Sequence, residues 1–418
     1  MAAVAGSKGR ISLRSGNTPV RSFQGALAGR LLDGAISVDT AVRSLVQAAR
    51  LREVGVDTNM ICNLACRYCY LDDRPEAKGT IEAIEWKSYL EPLIGAGCKL
   101  IAFIGKEPLG DTIALNTISA LNEYRDRGRK FRIGLVTNGT LIDRRIDRLV
   151  SVRLDYLDVS LDSTPAINDA MRGEGVFKRV VRNLKLYLTT KPSHDFSVVS
   201  VLHKDSARRY MSFIDFLFSI GMKTAFGSPV LRFTERDTAA AMAISTADLL
   251  ILIETLVSYL SRMPSHARAG RQIIIDLPYK YSWLLLKEPG IDWADLKQDA
   301  FEAHFLQPDL SVPLYLKFNF FPMSYWRAIR VTHNGRVIEN MDLAAHRLYD
   351  RHTRHCADRD QRWYFGLRQV YHDNFLSDFI RQHVDLAGIS KEPYDRDVPG
   401  QMLHMNSGIG LASSNGVG

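Results

Sequence analysis

The chain has 418 residues, 46% of them hydrophobic and 24% charged, and a formal net charge of +8. That composition belongs to a water-soluble globular protein, and no run reaches the ~18 uninterrupted apolar residues of a membrane span. Five cysteines are too few for a disulfide scaffold and point to a reducing, cytoplasmic setting, while basic residues interleaved with acids, as in Glu123 to Arg132, argue against a nucleic-acid-binding stripe.

Residues 1–35 read as flexible, with no acidic residue before Asp33. That composition suits an organelle transit peptide and an unstructured bacterial N-terminus alike, and no apolar stretch marks a secretory signal. Val38 to Arg50 carries apolar residues at helical spacing. From residue 53 an alternation sets in. β-rich runs at Glu53–Thr58, Lys99–Ile104, Phe131–Val136, Asp155–Leu161, Phe196–Leu202 and Lys223–Pro229 are separated by helical patterns near 80–96, 112–127, 142–150, 176–189 and 206–220. Strands alternating with helices predict βαβ units around a parallel sheet. The expected fold class is therefore α/β, a partial (βα)6 parallel barrel, with the loops at the carboxyl ends of its strands as the site.

Past residue 236 the alternation stops. A buried helix is expected over 245–262, strands at Pro313–Phe321 and Trp326–Glu339 around a turn at His333 to Arg336, and a helix near 363–384. The predicted organisation is a flexible N-terminus and helix (1–50), the strand–helix region (51–235), a mixed α+β capping region that shapes substrate specificity (236–398), and a Gly/Ser/Asn-rich disordered tail (399–418).

Three of the five cysteines fall within Cys62-Asn63-Leu64-Ala65-Cys66-Arg67-Tyr68-Cys69, directly after the first strand. Thiolates select soft metals. A cubane iron–sulfur cluster is usually held by four, so three leave one iron open, which marks a reactive centre rather than a closed one. The competing reading is structural zinc, for which the chain offers no second cysteine pair and no histidine at finger spacing.

The spacing C-x₃-C-x-aromatic-C, with Tyr68 as the aromatic, resembles the signature of the radical S-adenosylmethionine (radical SAM) superfamily. Gly105-Lys106-Glu107-Pro108, closing the second strand, resembles the family's Gly-Gly-Glu-Pro motif, with Lys106 in place of the second glycine. Thr137 and Asn138 stand where the family approaches the cofactor's carboxylate, and Ser160 and Asp162 where it contacts ribose. Asn168 to Asn183 is similar to the family's stretch leading into its fourth helix, and Val199 and Val201 stand at the adenine wall. The resemblance covers about residues 50–235. It implies one [4Fe–4S] cluster on Cys62, Cys66 and Cys69 and S-adenosylmethionine bound to the open iron. It also implies reductive cleavage to a 5′-deoxyadenosyl radical that abstracts hydrogen, and a low-potential donor of flavodoxin or ferredoxin type.

Beyond residue 98 only Cys356 remains, which excludes the extra clusters of peptide-modifying relatives, although residues 311–345 resemble their hairpin without its ligands. Cys356, after Arg354 and His355, is a candidate hydrogen donor to a substrate radical. Tyr315, Phe318, Phe320, Phe321, Tyr325, Trp326 and Arg327, with His352, His355 and Trp363, suit either a substrate mouth or an apolar cover. The leading expectation is a tailoring enzyme for a small polar metabolite (a sugar, aminocyclitol or nucleoside). Radical modification of a ribosomal peptide is the alternative, and a non-catalytic zinc module a remote one.

Overall fold

The computed structural model describes residues 23–41, 44, 52–69, 82–95, 97–229, 242–263, 270–277, 281–282, 303–306, 312, 314–319, 328–333 and 337–338. Cys356, the aromatic and basic residues from 320 to 327 and from 352 to 363, the helix expected at 363–384 and the tail all lie outside these residues.

Strands and helices alternate as the periodicity predicts. In chain order they are α1 (Phe23–Leu32), β1 (Glu53–Asp57), α2 (Ala83–Gly95), β2 (Leu100–Ile104), α3 (Ile113–Asp126), β3 (Arg132–Thr137), α4 (Ile142–Ser151) and β4 (Tyr156–Ser160). There follow α5 (Pro165–Arg172), α6 (Val176–Thr189), β5 (Asp195–Leu202), α7 (Lys204–Ser219), β6 (Thr224–Pro229), α8 (Thr246–Ser261) and β7 (Gln272–Leu277). The short strands β8 (Ala303–Leu306), β9 (Leu314–Phe318), β10 (Ala328–Val331) and β11 (Val337–Ile338) complete the described chain.

All eleven strands form one sheet, ordered β11-β10-β1-β2-β3-β4-β5-β6-β7-β9-β8. β10, β1 to β7 and β9 run parallel, and only β11 and β8 are antiparallel, one at each edge. The partial parallel barrel is thus present and unclosed, and wider than six strands. β7 and β9 extend it beyond β6, and β10 extends it beyond β1 in the register Glu53↔Ala328 to Val56↔Val331. The expected hairpin at 326–339 is this β10–β11 pair.

Side chains alternate across each strand, which divides the sheet into two faces. Val54, Val56, Ile101, Phe103, Ile133, Leu135, Leu157, Val159, Val198, Ile273, Ile275, Leu314 and Leu316 are buried in one continuous core with Trp86, Leu121, Leu149, Leu184, Phe213 and Leu256 of the helices. The alternate positions form the other face, which mixes polar groups such as Asp57, Asp158, Ser197, Gln272, Asp276 and Lys317 with apolar ones such as Ile104, Val136, Val199, Phe226 and Ile274. Helix ends follow local chemistry. Ser245 Oγ accepts from Asp248 N at the start of α8 (3.0 Å), and Pro165 opens α5 at a position where no intrahelical N–H is needed.

One expectation is corrected at the N-terminus. Residues through 35 read as flexible, yet Phe23–Leu32 is helical, with Leu27, Ala28 and Leu31 buried in the main core. The physical reason is tertiary. A ten-residue helix is marginal alone and forms here because its apolar side has a place to go. The α5 helix was read only as part of a motif. With eight residues it is too short for a clear periodicity.

Candidate active site

The loop from Thr58 to Cys69 leaves the carboxyl end of β1 and lies across the ends of β2, β3 and β4. Asn59 starts it. Its Oδ1 accepts from Ile61 N (3.0 Å) and its Nδ2 donates to Glu107 O (3.2 Å), while Glu107 N donates to Ile61 O (3.0 Å). Asn63 Nδ2 donates to Thr140 Oγ1 (2.8 Å) and Asn63 Oδ1 accepts from Asn138 Nδ2 (2.9 Å). At the far end Arg67 N donates to Met171 O (2.9 Å), fastening the loop to the last turn of α5.

Glu107 is the hinge of this arrangement. Oε1 accepts from Leu109 N (3.0 Å) and Thr137 Oγ1 (2.6 Å), and Oε2 accepts from Asn138 N (2.7 Å). The carboxyl is fully buried, and that burial raises its pKa against the pull of the three donors. Its oxygens tie the ends of β2 and β3 together through these three donors. Pro108 is buried beside it in a 3-10 turn, Pro108–Gly110. Gly105 has φ +115°, and a Cβ there would lie 2.6 Å from Asp57 Oδ1. Its glycine is therefore demanded by Asp57 as well as by the backbone.

The second cluster is ionic. Arg172 donates through Nε and one Nη to both oxygens of Asp162, each at 2.8 Å, with the side chains 7% and 0% exposed. Tyr68 donates its hydroxyl to Asp162 Oδ2, and its ring lies 5.5 Å beneath the Arg172 guanidinium. Asp162 Oδ1 also accepts from Val201 N (3.1 Å), and Asp162 N donates to Asn168 Oδ1 (3.1 Å). Burial would pull Arg172 down, but Asp162 and its hydrogen bonds keep it protonated. Asp162, expected at ribose, accepts from Tyr68, Arg172 and Val201, and Tyr68 is held by its hydroxyl as well as its ring. Ser160 and Val201 remain half-buried at the strand ends, and Val201 packs with Tyr68, Met171, Met242 and Ala243. Arg172, Asn63 and Met242 were not assigned a role from sequence. An arginine ten residues after Asp162 was the available signal, readable only once α5 was known to fold back.

The cysteines are half-buried and reduced. Burial raises the Cys62 and Cys66 thiols, Cys66 to about 11. Arg172 opposes this at Cys66, whereas Asp162 and the neighbouring thiols add to it. Cys62 Sγ accepts from Leu64 N (3.4 Å) and Asn138 Nδ2 (3.8 Å). Among the described residues no three His, Cys, Asp or Glu side chains are close enough to share one metal ion. Cys98 is buried packing, its Sγ 3.1 Å from Leu100 O.

Comparison with known proteins agrees with this geometry. Residues 56–217 match the Radical SAM superfamily. The chain is 34% identical over 145 residues to the Fe-coproporphyrin III synthase of Methanosarcina barkeri, covering 34% of this chain and 35% of that protein. It is 26% identical over 181 residues to the serine-type anaerobic sulfatase-maturating enzyme of Klebsiella aerogenes, covering 41% and 44%. These matches span well under half the length of the relatives. In fold, it is similar to Streptococcus suis SuiB bound to precursor peptide SuiA, with TM-score 0.56 and 16% identity over 82% of this chain and 71% of that one. The cysteine loop and the unclosed parallel sheet fit the match of residues 56–217 to the radical SAM superfamily, whose enzymes use a [4Fe–4S] cluster and S-adenosylmethionine.

Proposed function

We propose that the protein is a radical SAM enzyme that modifies a peptide. The observation that carries this reading is the unclosed sheet. Nine parallel strands leave an arc of carboxyl ends, and the face beneath it carries polar groups among apolar ones, with Lys317 Nζ 3.4 Å and Asn319 Nδ2 2.9 Å from Asp276 Oδ1. An open trough with polar groups along it suits an extended chain with its many amides. A small metabolite is better served by an enclosed, mostly apolar pocket. The likeness to a protein solved with its precursor peptide extends over 82% of the chain, past the region matched by the family, and supports the same choice. The expectation of a sugar, aminocyclitol or nucleoside substrate is supported over a shorter stretch, by 32% identity across 26% of this chain to a GTP 3′,8-cyclase of Chlorobaculum tepidum.

Cys62, Cys66 and Cys69 would hold the cluster, and Gly105, Ser160 and Val201, at the strand ends, would border S-adenosylmethionine. When bound, these groups supply one-electron cleavage of the sulfonium and hydrogen abstraction from substrate. The protein's part is position and shielding. Tyr68, Asp162 and Arg172 fix the last cysteines, Asn138 and Asn63 fix the first, and Met171 and Met242 shield the loop with apolar side chains. A cytoplasmic location and a flavodoxin- or ferredoxin-type donor complete the proposal.

The test is anaerobic reconstitution, then reductant, S-adenosylmethionine and either a peptide pool or a panel of nucleotide sugars, aminocyclitols and nucleosides. About four irons per chain, lost in Cys66→Ala, and 5′-deoxyadenosine release stimulated by peptides are expected. Deuterium passing from labelled peptide into 5′-deoxyadenosine would identify the hydrogen source. Stimulation by the small molecules alone would overturn the peptide reading.

A further inference from the structure

At the opposite end of the sheet from the cysteines, Lys99, Arg125, Arg129, Lys130, Arg132 and Arg153 line a cavity of about 540 Å³, with Asp126 as its one acidic lining residue. They come from four separate places: the entry to β2, the end of α3 and the turn after it, the first residue of β3, and the loop into β4. Along the chain these cations are interleaved with acids and look like an ordinary solvated face. The parallel sheet undoes that mixing, because every parallel strand starts on the same side and brings its leading cation with it.

Three of the six are engaged. Arg125 pairs with Asp155 (3.2 Å), Arg132 with Asp195 (3.6 Å) and Arg153 with Asp126 (2.6 Å). Lys99, Arg129 and Lys130 are exposed and have no acidic partner within ion-pair distance among the described residues, although Arg129 rests on the Tyr124 ring at 5.6 Å. The cleft therefore carries an uncompensated positive charge in a concave setting, which concentrates anions. Strands of five to six residues separate it from the cysteine loop by roughly 20 Å, a poor place from which to feed the cluster electrons. Phe131, the aromatic residue of the lining, is buried, so the cleft has no exposed ring there on which a base could stack.

We infer that this cleft binds a carboxylate-rich peptide segment, the recognition part of a substrate whose reacting residue lies at the other end of the sheet. The inference rests on the peptide reading for its meaning, but its test needs neither cluster nor turnover. Fluorescence anisotropy of a labelled octaglutamate peptide is measured with the full-length protein at low salt and at about 0.3 M salt. The triple variant Lys99→Glu, Arg129→Glu, Lys130→Glu is compared with an equal charge reversal on exposed helical positions, Lys178→Glu, Lys185→Glu, Arg208→Glu. Circular dichroism verifies folding, and Lys99→Gln with Lys130→Gln serves if the reversal does not fold.

Binding that weakens about tenfold or more in the cleft variant, but by less than about twofold in the control, is expected. No binding, an equal loss in both variants, or tighter binding of an oligothymidylate than of octaglutamate would each overturn the inference. Failure here would leave peptide-stimulated deoxyadenosine release untouched, and failure of the peptide reading would leave octaglutamate binding measurable.

Discussion

Arg172 and Asp162 show how a site is held by charge rather than by loop sequence. Removing one member of a buried, hydrogen-bonded ion pair costs about 3–5 kcal/mol, because the other is left without compensation. Arg172→Met should therefore lower the denaturation midpoint of the apo protein and reduce its iron content after reconstitution. Asp162→Asn combined with Arg172→Met should recover much of the stability, and a double-variant loss equal to the sum of the two single losses would show that the pair is not coupled. Asp158 offers a pH test at the same scale. Burial raises its carboxyl to about 6, with Ser197 donating to it and opposing the shift. The native state thus keeps a proton between about pH 4 and 6 that the unfolded chain releases, so stability falls as pH rises through that window and stays lower above it. Asp158→Asn should stabilise the protein at pH 8, by at most about 3 kcal/mol, and should confer no advantage near pH 4. Thermal melts at both pH values measure this.

At the scale of elements, β3 and β4 depend on an absent side chain. Gly134 pairs with Tyr156 across the two strands, and a Cβ at 134 would lie 1.9 Å from the Tyr156 ring. Gly134→Ala must displace that ring, at a cost of about 1–3 kcal/mol. Urea unfolding should show that loss, and Tyr156→Ser in the same chain should remove most of the difference between Gly and Ala. Apart from α5, the strand and helix positions from 53 to 229 were legible because period-2 and period-3.6 patterns report a local choice. Helix α1 was not, since its ten residues gain stability only from a core formed by distant strands.

For the whole molecule, the decisive contact joins residues 273 apart. Arg330 reaches from β10 to Asp57 at the end of β1, with Nε 2.8 Å and Nη2 2.7 Å from Asp57 Oδ1 and both side chains buried. Asp57 also sits beneath Gly105, so the edge strand, the cysteine loop's root and the end of β2 meet at one carboxylate. Arg330→Met should destabilise the protein by about 3–5 kcal/mol and increase amide exchange in β10 and β1 before that in β4. Uniform exchange across the sheet would show that β10 is not held by this pair.

The sequence by itself determined the class of chemistry and the order of the elements. Cysteine spacing, a glycine–acid motif at a strand end and hydrophobic periodicity are properties of short segments, and short segments keep their meaning wherever they are read. The destinations of the polar side chains were decided by the tertiary structure alone. Glu107 and Asp162 could each be read as a cofactor contact, because a carboxylate in a sequence shows no partners. Once folded, backbone amides, Thr137, Tyr68 and Arg172 converge on them, because a buried carboxylate must be hydrogen-bonded. The same holds for the edges of the sheet, since no local pattern encodes that β10 pairs with β1 or that six scattered cations share one cleft. Those are consequences of strand order, which is settled by long-range burial.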